Sequence, residues 1–258
     1  MEPIFRQAND ADIPQIEQLW KTCFPEDDLG YIHRFFDKIP VSTGLVACKG
    51  EILSMLFLLP AEVVADGKIY PVRYLYAGCT HPAHRKGGLF GELLRYARSF
   101  VAMLGEQGIY LHPASESLVT YYERHGYRPG IGGWLRHGTE RSKQAVTIDT
   151  DAYWAAREHL LPTNQAYWRL LQPADCFFLD EMLSDGWQAV ADTTGCCLIS
   201  PDGRFAYDCL GDFSAAVCFG AAGDEWQNTA WWIPAEEGNA LCTVMVDNNA
   251  YTAFLGDI

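Results

Sequence analysis

"CTHPAHRKGGLFGELLRYA" (79–97) decides how the first half of this chain is read. Arg85 and Lys86 stand side by side, Gly87 and Gly88 follow, and Leu89, Leu93, Ala97, Phe100 and Leu104 then recur at three- and four-residue steps. That spacing predicts an amphipathic helix starting near Gly88 and stopping at Gly105 or Gly108. Upstream, "RYLYAGCT" (73–80) has strand composition, so the glycines mark a strand-to-helix turn. Such a turn exposes backbone N–H groups at the positive end of a helix dipole, which together with two cations suits a pyrophosphate. The same letters also serve an ordinary tight corner in which glycine supplies backbone freedom. The turn by itself leaves both readings open. It is not a Walker A loop, because no Gly-Lys-Ser/Thr occurs, and it has neither the G-x-G-x-x-G spacing nor the placement of a dinucleotide fold.

Around this turn the first half alternates strands and helices. "PIFRQA" (3–8) reads as a strand, and "DADIPQIEQLWKTCF" (10–24) and "LGYIHRFFDKI" (29–39) as helices. The stretch 43–65 reads as a hairpin turning at Lys49-Gly50, with a third strand after Asp66-Gly67. "GIYLHP" is a short strand, "SESLVTYYERHG" a helix capped by Ser115 and stopped by Gly126, and "YRPGIGGWLRHG" a last strand. The order β-α-α-β-β-β-α-β-α-β predicts a mixed sheet with helices packed on it, an α+β (mixed α/β) fold. Beyond residue 139, "DTDAYWAAREHL" and "TNQAYWRLLQ" read as helices, and five short segments between 187 and 234 as strands. The expected division is therefore 1–138 and 139–258, the second a smaller α+β domain.

Composition sharpens that division. The net charge is −14, with 14 Lys and Arg against 15 Asp and Glu up to residue 138, and 5 against 18 beyond it. Seven of the eight tryptophans lie at or after Trp134. An acidic chain of this kind is not expected to bind nucleic acid, which needs clustered cations. A Trp-rich acidic half suits a cationic or aromatic ligand, although most such carboxylates simply solvate a surface. The apolar run 52–65 is broken by Pro60 and Glu62 and is too short for a membrane span. The start shows no secretory signal, and nine cysteines without a C-x-x-C pair read as reduced thiols, so a cytoplasmic location is expected. No metal is expected: Cys196-Cys197 and "HPAH" (81–84) lack partners at ligand spacing.

"THPAHRKGGLFGELL" resembles the acetyl-CoA-binding motif of the GNAT superfamily of N-acetyltransferases, P-x-x-[RQ]-x-x-G-x-[GA]. Arg85 and Gly88 fill its first two signature positions, while Phe90 stands where a small residue is usual. The Eis-like branch resembles this sequence in carrying a larger residue there. "YYERHGY" (121–127) is similar to the family's Y-x-x-x-G-[FY] segment. The resemblance implies an acetyl-CoA-dependent transfer of an acetyl group to a primary amine by direct attack. By position it assigns the backbone of Gly78, Cys79 and Thr80 to the pantetheine arm and thioester. Arg85, Lys86, Gly87, Gly88, Leu89, Phe90 and Gly91 fall to the pyrophosphate, and Tyr122 becomes the general acid for the leaving thiolate. Candidate bases for the amine are Glu116, His112 and, from the Eis-like resemblance, a terminal carboxylate at Ile258. Cys79 lacks a His placed to activate it and is not read as a nucleophile. The other reading is a non-catalytic acyl-CoA sensor or scaffold of the same fold.

Overall fold

The computed structural model describes residues 2–135, 138–141, 146–161, 166–203, 206–211, 217–219, 225–247 and 250–252. The first half runs β1 (Ile4–Gln7), α1 (Ile13–Cys23), α2 (Leu29–Lys38), β2 (Gly44–Cys48), β3 (Ile52–Ala65), β4 (Lys68–Thr80), α3 (Leu89–Met103), β5 (Gly108–Leu111), α4 (Glu116–Arg124) and β6 (Arg128–Leu135). This is the expected order of elements. The second half adds β7 (Gly138–Arg141), β8 (Val146–Thr147), α5 (Thr150–Leu160), β9 (Tyr167–Leu170), α6 (Ala174–Ser184), β10 (Gln188–Ala191), β11 (Gly195–Ile199) and β12 (Ala206–Gly211). It ends with β13 (Val217–Phe219), β14 (Glu225–Pro234), α7 (Ala240–Asp247) and β15 (Ala250–Thr252).

Among the described residues, nine strands form one mixed sheet in the order β1-β2-β3-β4-β5-β14-β6-β15-β9, and β9 also pairs with β3. The ring closes because β3 changes partner along one edge. Gly44–Cys48 pairs with its first half and Tyr167–Leu170 with Ala61–Val64, while β4 holds the other edge. Pro60 sits at the changeover, where its missing N–H is harmless and its carbonyl accepts the Leu171 N–H at 3.0 Å. β14 lies between β5 and β6, antiparallel to both, so a strand from beyond residue 220 completes the sheet of the first half. A second sheet has the order β12-β11-β10-β8.

The helical reading of "TNQAYWRLLQ" is corrected, since Tyr167–Leu170 within it is strand β9. Its bulky residues fit a pleated surface, and the open edge of β3 supplies backbone partners that a local helix would not need. Helix α6 went unread because its buried residues Phe177, Phe178 and Leu179 are contiguous and hide the helical period.

Helices α1, α2 and α6 cover one face of the sheet and α3 and α4 the other. The first layer is continuous from Trp20 and Phe35 through Tyr110 and Trp168 to Cys196 and Leu198, so apolar packing runs across both halves. The second joins Leu93, Leu94 and Ala97 of α3 to Leu56, Leu75, Ile109 and Tyr122. Among the described residues no helix is long and apolar enough to cross a membrane.

One polar cluster is enclosed within the first layer. Arg157 of α5 is fully buried; its Nε donates to Asp208 Oδ2 at 2.7 Å, and its Nη1 lies 3.6 Å from Asp175 Oδ2. Tyr153 donates to the same Asp208 oxygen at 2.7 Å. Burial pushes the Asp175 carboxyl up to about 7, against the opposing pull of Arg157. An unfolded Asp ionises near ~3.9, so the folded chain holds an extra proton between about pH 4 and 7. The stability this proton provides is whole below that range and is lost as pH rises through it. Asp175→Asn is therefore expected to flatten the pH dependence of unfolding free energy between pH 4 and 7. Urea titrations of both chains at pH 5 and pH 8 check this, with the variant gaining relative to the natural chain at pH 8.

Candidate functional site

The site begins with a defect in β4. Tyr76 pairs with Phe57 and Cys79 with Met55, so Ala77 and Gly78 together stand opposite Leu56. Ala77 has φ +47°, a left-handed conformation uncommon for a residue with a Cβ. The result is a bulge that re-aims the strand. On its other edge β4 pairs with β5 at Arg73 and Tyr74. Beyond them, among the described residues, no strand lies against the edge from Leu75 to Thr80. Two parallel strands thus diverge and leave backbone groups open between them. The strand end is pinned from the opposite side: Ser54 Oγ donates to the Cys79 carbonyl at 2.7 Å and lies 2.8 Å from Thr80 Oγ1.

The chain then turns into α3. Lys86 has φ +69° and Gly88 φ +81°, and Gly88 is an N-cap without a side-chain hydrogen bond to the helix. The N–H groups of Leu89, Phe90 and Gly91 therefore have no partner within the first turn. Residues 82–88 are exposed. A Cβ at Gly88 would meet nothing within 4 Å, so glycine is needed there for its backbone and the space above it is open. These features are of the kind that suits an anion, the class to which the pyrophosphate expected from the sequence belongs. Arg85 serves the turn itself, with Nε donating to the Thr80 carbonyl at 3.0 Å and Nη2 lying 3.9 Å from Cys23 Sγ.

Phe90, the irregular letter of the motif, has a structural counterpart. A Cβ on Gly78 would lie 2.8 Å from Phe90 Cζ and 3.0 Å from Leu75 Cδ2. The phenyl ring occupies the space above the bulge and stacks on Tyr121, with ring centroids 6.2 Å apart. The large side chain points away from the turn, and the missing one at Gly78 makes room for it. Gly78→Ala should displace the ring and weaken several-fold the binding of the acetyl-CoA that the sequence resemblance implies. Adding Phe90→Leu should recover most of the loss, as read by a binding titration of the two variants.

Tyr121 carries the contacts onward. Its ring lies 5.7 Å from Tyr122 and 4.4 Å from His125, whose Nδ1 is 2.9 Å from the Tyr121 carbonyl oxygen. A Cβ on Gly91 would fall 2.4 Å from His125 Nε2, so α3 and α4 approach closely at their ends. Gly78, Phe90, Gly91, Tyr121 and Tyr122 thus form one contiguous group. The Tyr122 ring is buried, and that burial holds its hydroxyl well above the usual phenol range.

The other candidates are placed apart. Glu116 is exposed on the first turn of α4, six residues before Tyr122 and off its face. His112 follows the end of β5 and packs on the opposite face of the sheet, 5.7 Å from the Tyr74 ring and 6.3 Å from Tyr110. Ile258 lies outside the described residues.

On the α1–α2 face, sequence reasoning missed a cleft of about 460 Å³. Glu26, Asp27 and Asp28 line one side and Glu181 and Asp185 the other, with Tyr31, Phe178 and Trp187 between them. Arg34 is the basic residue of this lining, and it is bound by Glu181 at 2.6 and 2.8 Å. Burial raises the Asp27 carboxyl despite a 2.6 Å hydrogen bond from Trp20 Nε1. Tyr31 and Phe178 both touch Tyr76: the two hydroxyls are 2.5 Å apart, and the rings of Phe178 and Tyr76 5.2 Å. The cleft is thus one side chain away from the β4 bulge. The run "PEDD" (25–28) was the available signal, but its counterpart more than 150 residues later was not visible in the letters.

Residues 5–130 match the family model described as acetyltransferase (GNAT) domain. No curated protein matches the chain. Among solved structures, a GCN5-related N-acetyltransferase from Anabaena variabilis is 13% identical, with a TM-score of 0.64 over 91% of this chain and 73% of that one. Eis1 from Mycobacterium abscessus is 13% identical, with a TM-score of 0.62 over 93% and 75%. A probable N-acyltransferase from Enterococcus faecalis is 10% identical, with a TM-score of 0.64 over 92% and 73%. At these identities the likeness is one of fold, and it extends across both halves of the chain.

Proposed function

With a GNAT acetyltransferase domain over residues 5–130, we propose that this chain transfers the acetyl group of acetyl-CoA to a primary amine by direct attack. The observation that carries the proposal is the alignment of an open, bulged β4 edge with the uncapped N-terminus of α3. Acetyl-CoA supplies an acyl group activated as a thioester. Backbone N–H groups from Lys86 to Gly91 hold the pyrophosphate, and the β4 edge from Gly78 to Thr80 receives the pantetheine arm. That edge also fixes the reacting carbon, so proximity supplies much of the rate.

We assign Tyr122, whose ring adjoins the Tyr121 that stacks on Phe90 beside the bulge, to the sulfur end of this track. Because burial keeps its hydroxyl protonated, it acts as a hydrogen-bond donor to the charge that builds on sulfur. Complete proton transfer to a thiolate, whose free pKa is near ~8.5, would be uphill from such a phenol. The acidic cleft bounded by Glu26, Asp28 and Asp185 favours a cationic acceptor, and Tyr31 and Trp187 favour one with apolar or aromatic surface.

The test is free-thiol release from acetyl-CoA across a panel of neutral, cationic and polycationic amines. Turnover with cationic members is expected. Glu26→Gln combined with Asp185→Asn should raise KM for those substrates several-fold with kcat little changed. Acetyl-CoA binding without thiol release across the panel would instead indicate a sensor or scaffold.

A further inference from the structure

The space at the β4 bulge is narrow on both faces of the sheet. On the α3 face, a Cβ at Gly78 would lie 2.8 Å from Phe90 Cζ, 3.4 Å from Phe90 Cε2 and 3.0 Å from Leu75 Cδ2. Two side chains from different elements thus converge on one point above the backbone, and a single added carbon already meets them. On the opposite face the Tyr76 hydroxyl is 2.5 Å from that of Tyr31, and the Tyr76 ring packs 5.2 Å from Phe178 and 5.6 Å from Phe35. β3 pairs along one edge of this stretch. The way in is the other edge, which β5 leaves after Tyr74. Ala77 and Gly78 are half-buried there, while Tyr76 and Cys79 beside them are buried.

Phe90 is backed rather than free to swing. Its ring stacks on Tyr121 at 6.2 Å, with 28° between the ring planes. Tyr121 in turn lies 4.4 Å from the His125 ring, and His125 Nδ1 is 2.9 Å from the Tyr121 carbonyl oxygen. Behind His125 stands α3 itself, since a Cβ at Gly91 would fall 2.4 Å from His125 Nε2. The row of Phe90, Tyr121 and His125 is therefore closed at both ends, against Gly78 on one side and Gly91 on the other. Pushing the first ring aside disturbs packing along the whole row, and close-packed interiors resist that. Phe90 itself is only half-buried, like Gly78.

We propose that the Phe90 ring sets the acyl length of the donor: with Leu75 it forms the wall that admits an acetyl group and excludes longer acyl chains. The inference rests on the proposed seating of acetyl-CoA along β4, in which the thioester lies at the bulge. With the acyl carbon fixed there, a longer chain must either displace the backed ring or withdraw its thioester toward the opening. Either costs affinity, and one methylene in an apolar pocket discriminates by about 10–200-fold. The backbone N–H of Phe90 does not depend on its side chain. The residue thus serves the anion through one group and acyl length through another.

The test is calorimetric titration of the full chain with CoA and with acetyl-, propionyl-, butyryl- and hexanoyl-CoA, no amine being present. For the natural chain, affinity relative to acetyl-CoA should fall about 10-fold or more at butyryl-CoA and further at hexanoyl-CoA. In Phe90→Ala that loss should vanish, and in Phe90→Leu it should be intermediate. Each ratio is taken within one chain, so a general weakening of CoA binding cancels. Equal affinity of the natural chain for all the thioesters overturns the wall. A length-dependent loss that persists unchanged in both variants does the same. Absence of affinity for CoA and for every thioester overturns the seating of acetyl-CoA itself, and the wall with it. Phe90→Leu keeps an apolar side chain at the bulge and decides the matter where Phe90→Ala fails to fold.

Discussion

Tyr122→Phe is expected to lower kcat about 10²-fold or more while leaving the melting temperature almost unchanged. A preorganised hydrogen-bond donor aimed at developing charge contributes about 10²–10³ in kcat, and here the donated hydrogen bond meets charge that appears on sulfur as the thioester bond breaks. The ring itself should stay in place. It packs 5.7 Å from Tyr121 and 5.4 Å from Tyr127, contacts that phenylalanine keeps. Because the natural hydroxyl is protonated throughout the neutral range, the loss should be constant from about pH 6 to 9 and should not appear as a shifted pH profile. An acyl donor with a more acidic thiol needs less help at sulfur, so the variant should lose less with it. Steady-state kinetics with the two acyl donors separates this role from a packing role.

Arg157→Ala should cost about 3–5 kcal/mol of unfolding free energy, the range for removing one partner of a buried ion pair. The change leaves Asp208 and Asp175 near each other without their cation, with the Tyr153 hydroxyl still donating to Asp208. It also empties volume beside Trp154, whose ring lies 5.2 Å from the guanidinium carbon. The loss should exceed that of an ordinary surface Arg→Ala because Arg157 joins α5, α6 and β12 at one point. Combining Arg157→Met with Asp208→Asn removes both charges and should lose clearly less than the sum of the two single changes. Denaturant titrations of the four chains measure this directly.

The first half of the fold was legible because its signals are local. Helical spacing after Gly88, turn residues at Lys49-Gly50 and Asp66-Gly67, and caps at Ser115 and Gly126 each act within a few residues, and each element formed where they point. The closed sheet was not legible. Whether Tyr167–Leu170 is a strand depends on the edge of β3 that Pro60 divides, and whether Glu225–Pro234 joins the first sheet depends on a gap between β5 and β6. Neither dependence leaves a periodicity in the segment itself. The exposed turn that opens α3 could be read from its glycines and cations. The reason for Phe90 could not, because the complementary glycine lies twelve residues earlier, inside a bulge that takes its form from pairing with β3. Arg85 is read as a phosphate contact from its charge and its motif position; its Nε also donates to the Thr80 carbonyl, a contact the letters do not show, while the side chain stays exposed at the turn.

A crystal structure of the full chain with acetyl-CoA tests the central claim most directly. The account predicts pyrophosphate oxygens accepting from the N–H groups between Lys86 and Gly91, pantetheine amides paired with β4 between Gly78 and Thr80, and the sulfur within hydrogen-bond reach of the Tyr122 hydroxyl. A ligand bound elsewhere, or one seated on the turn with its sulfur directed away from Tyr122, would contradict it.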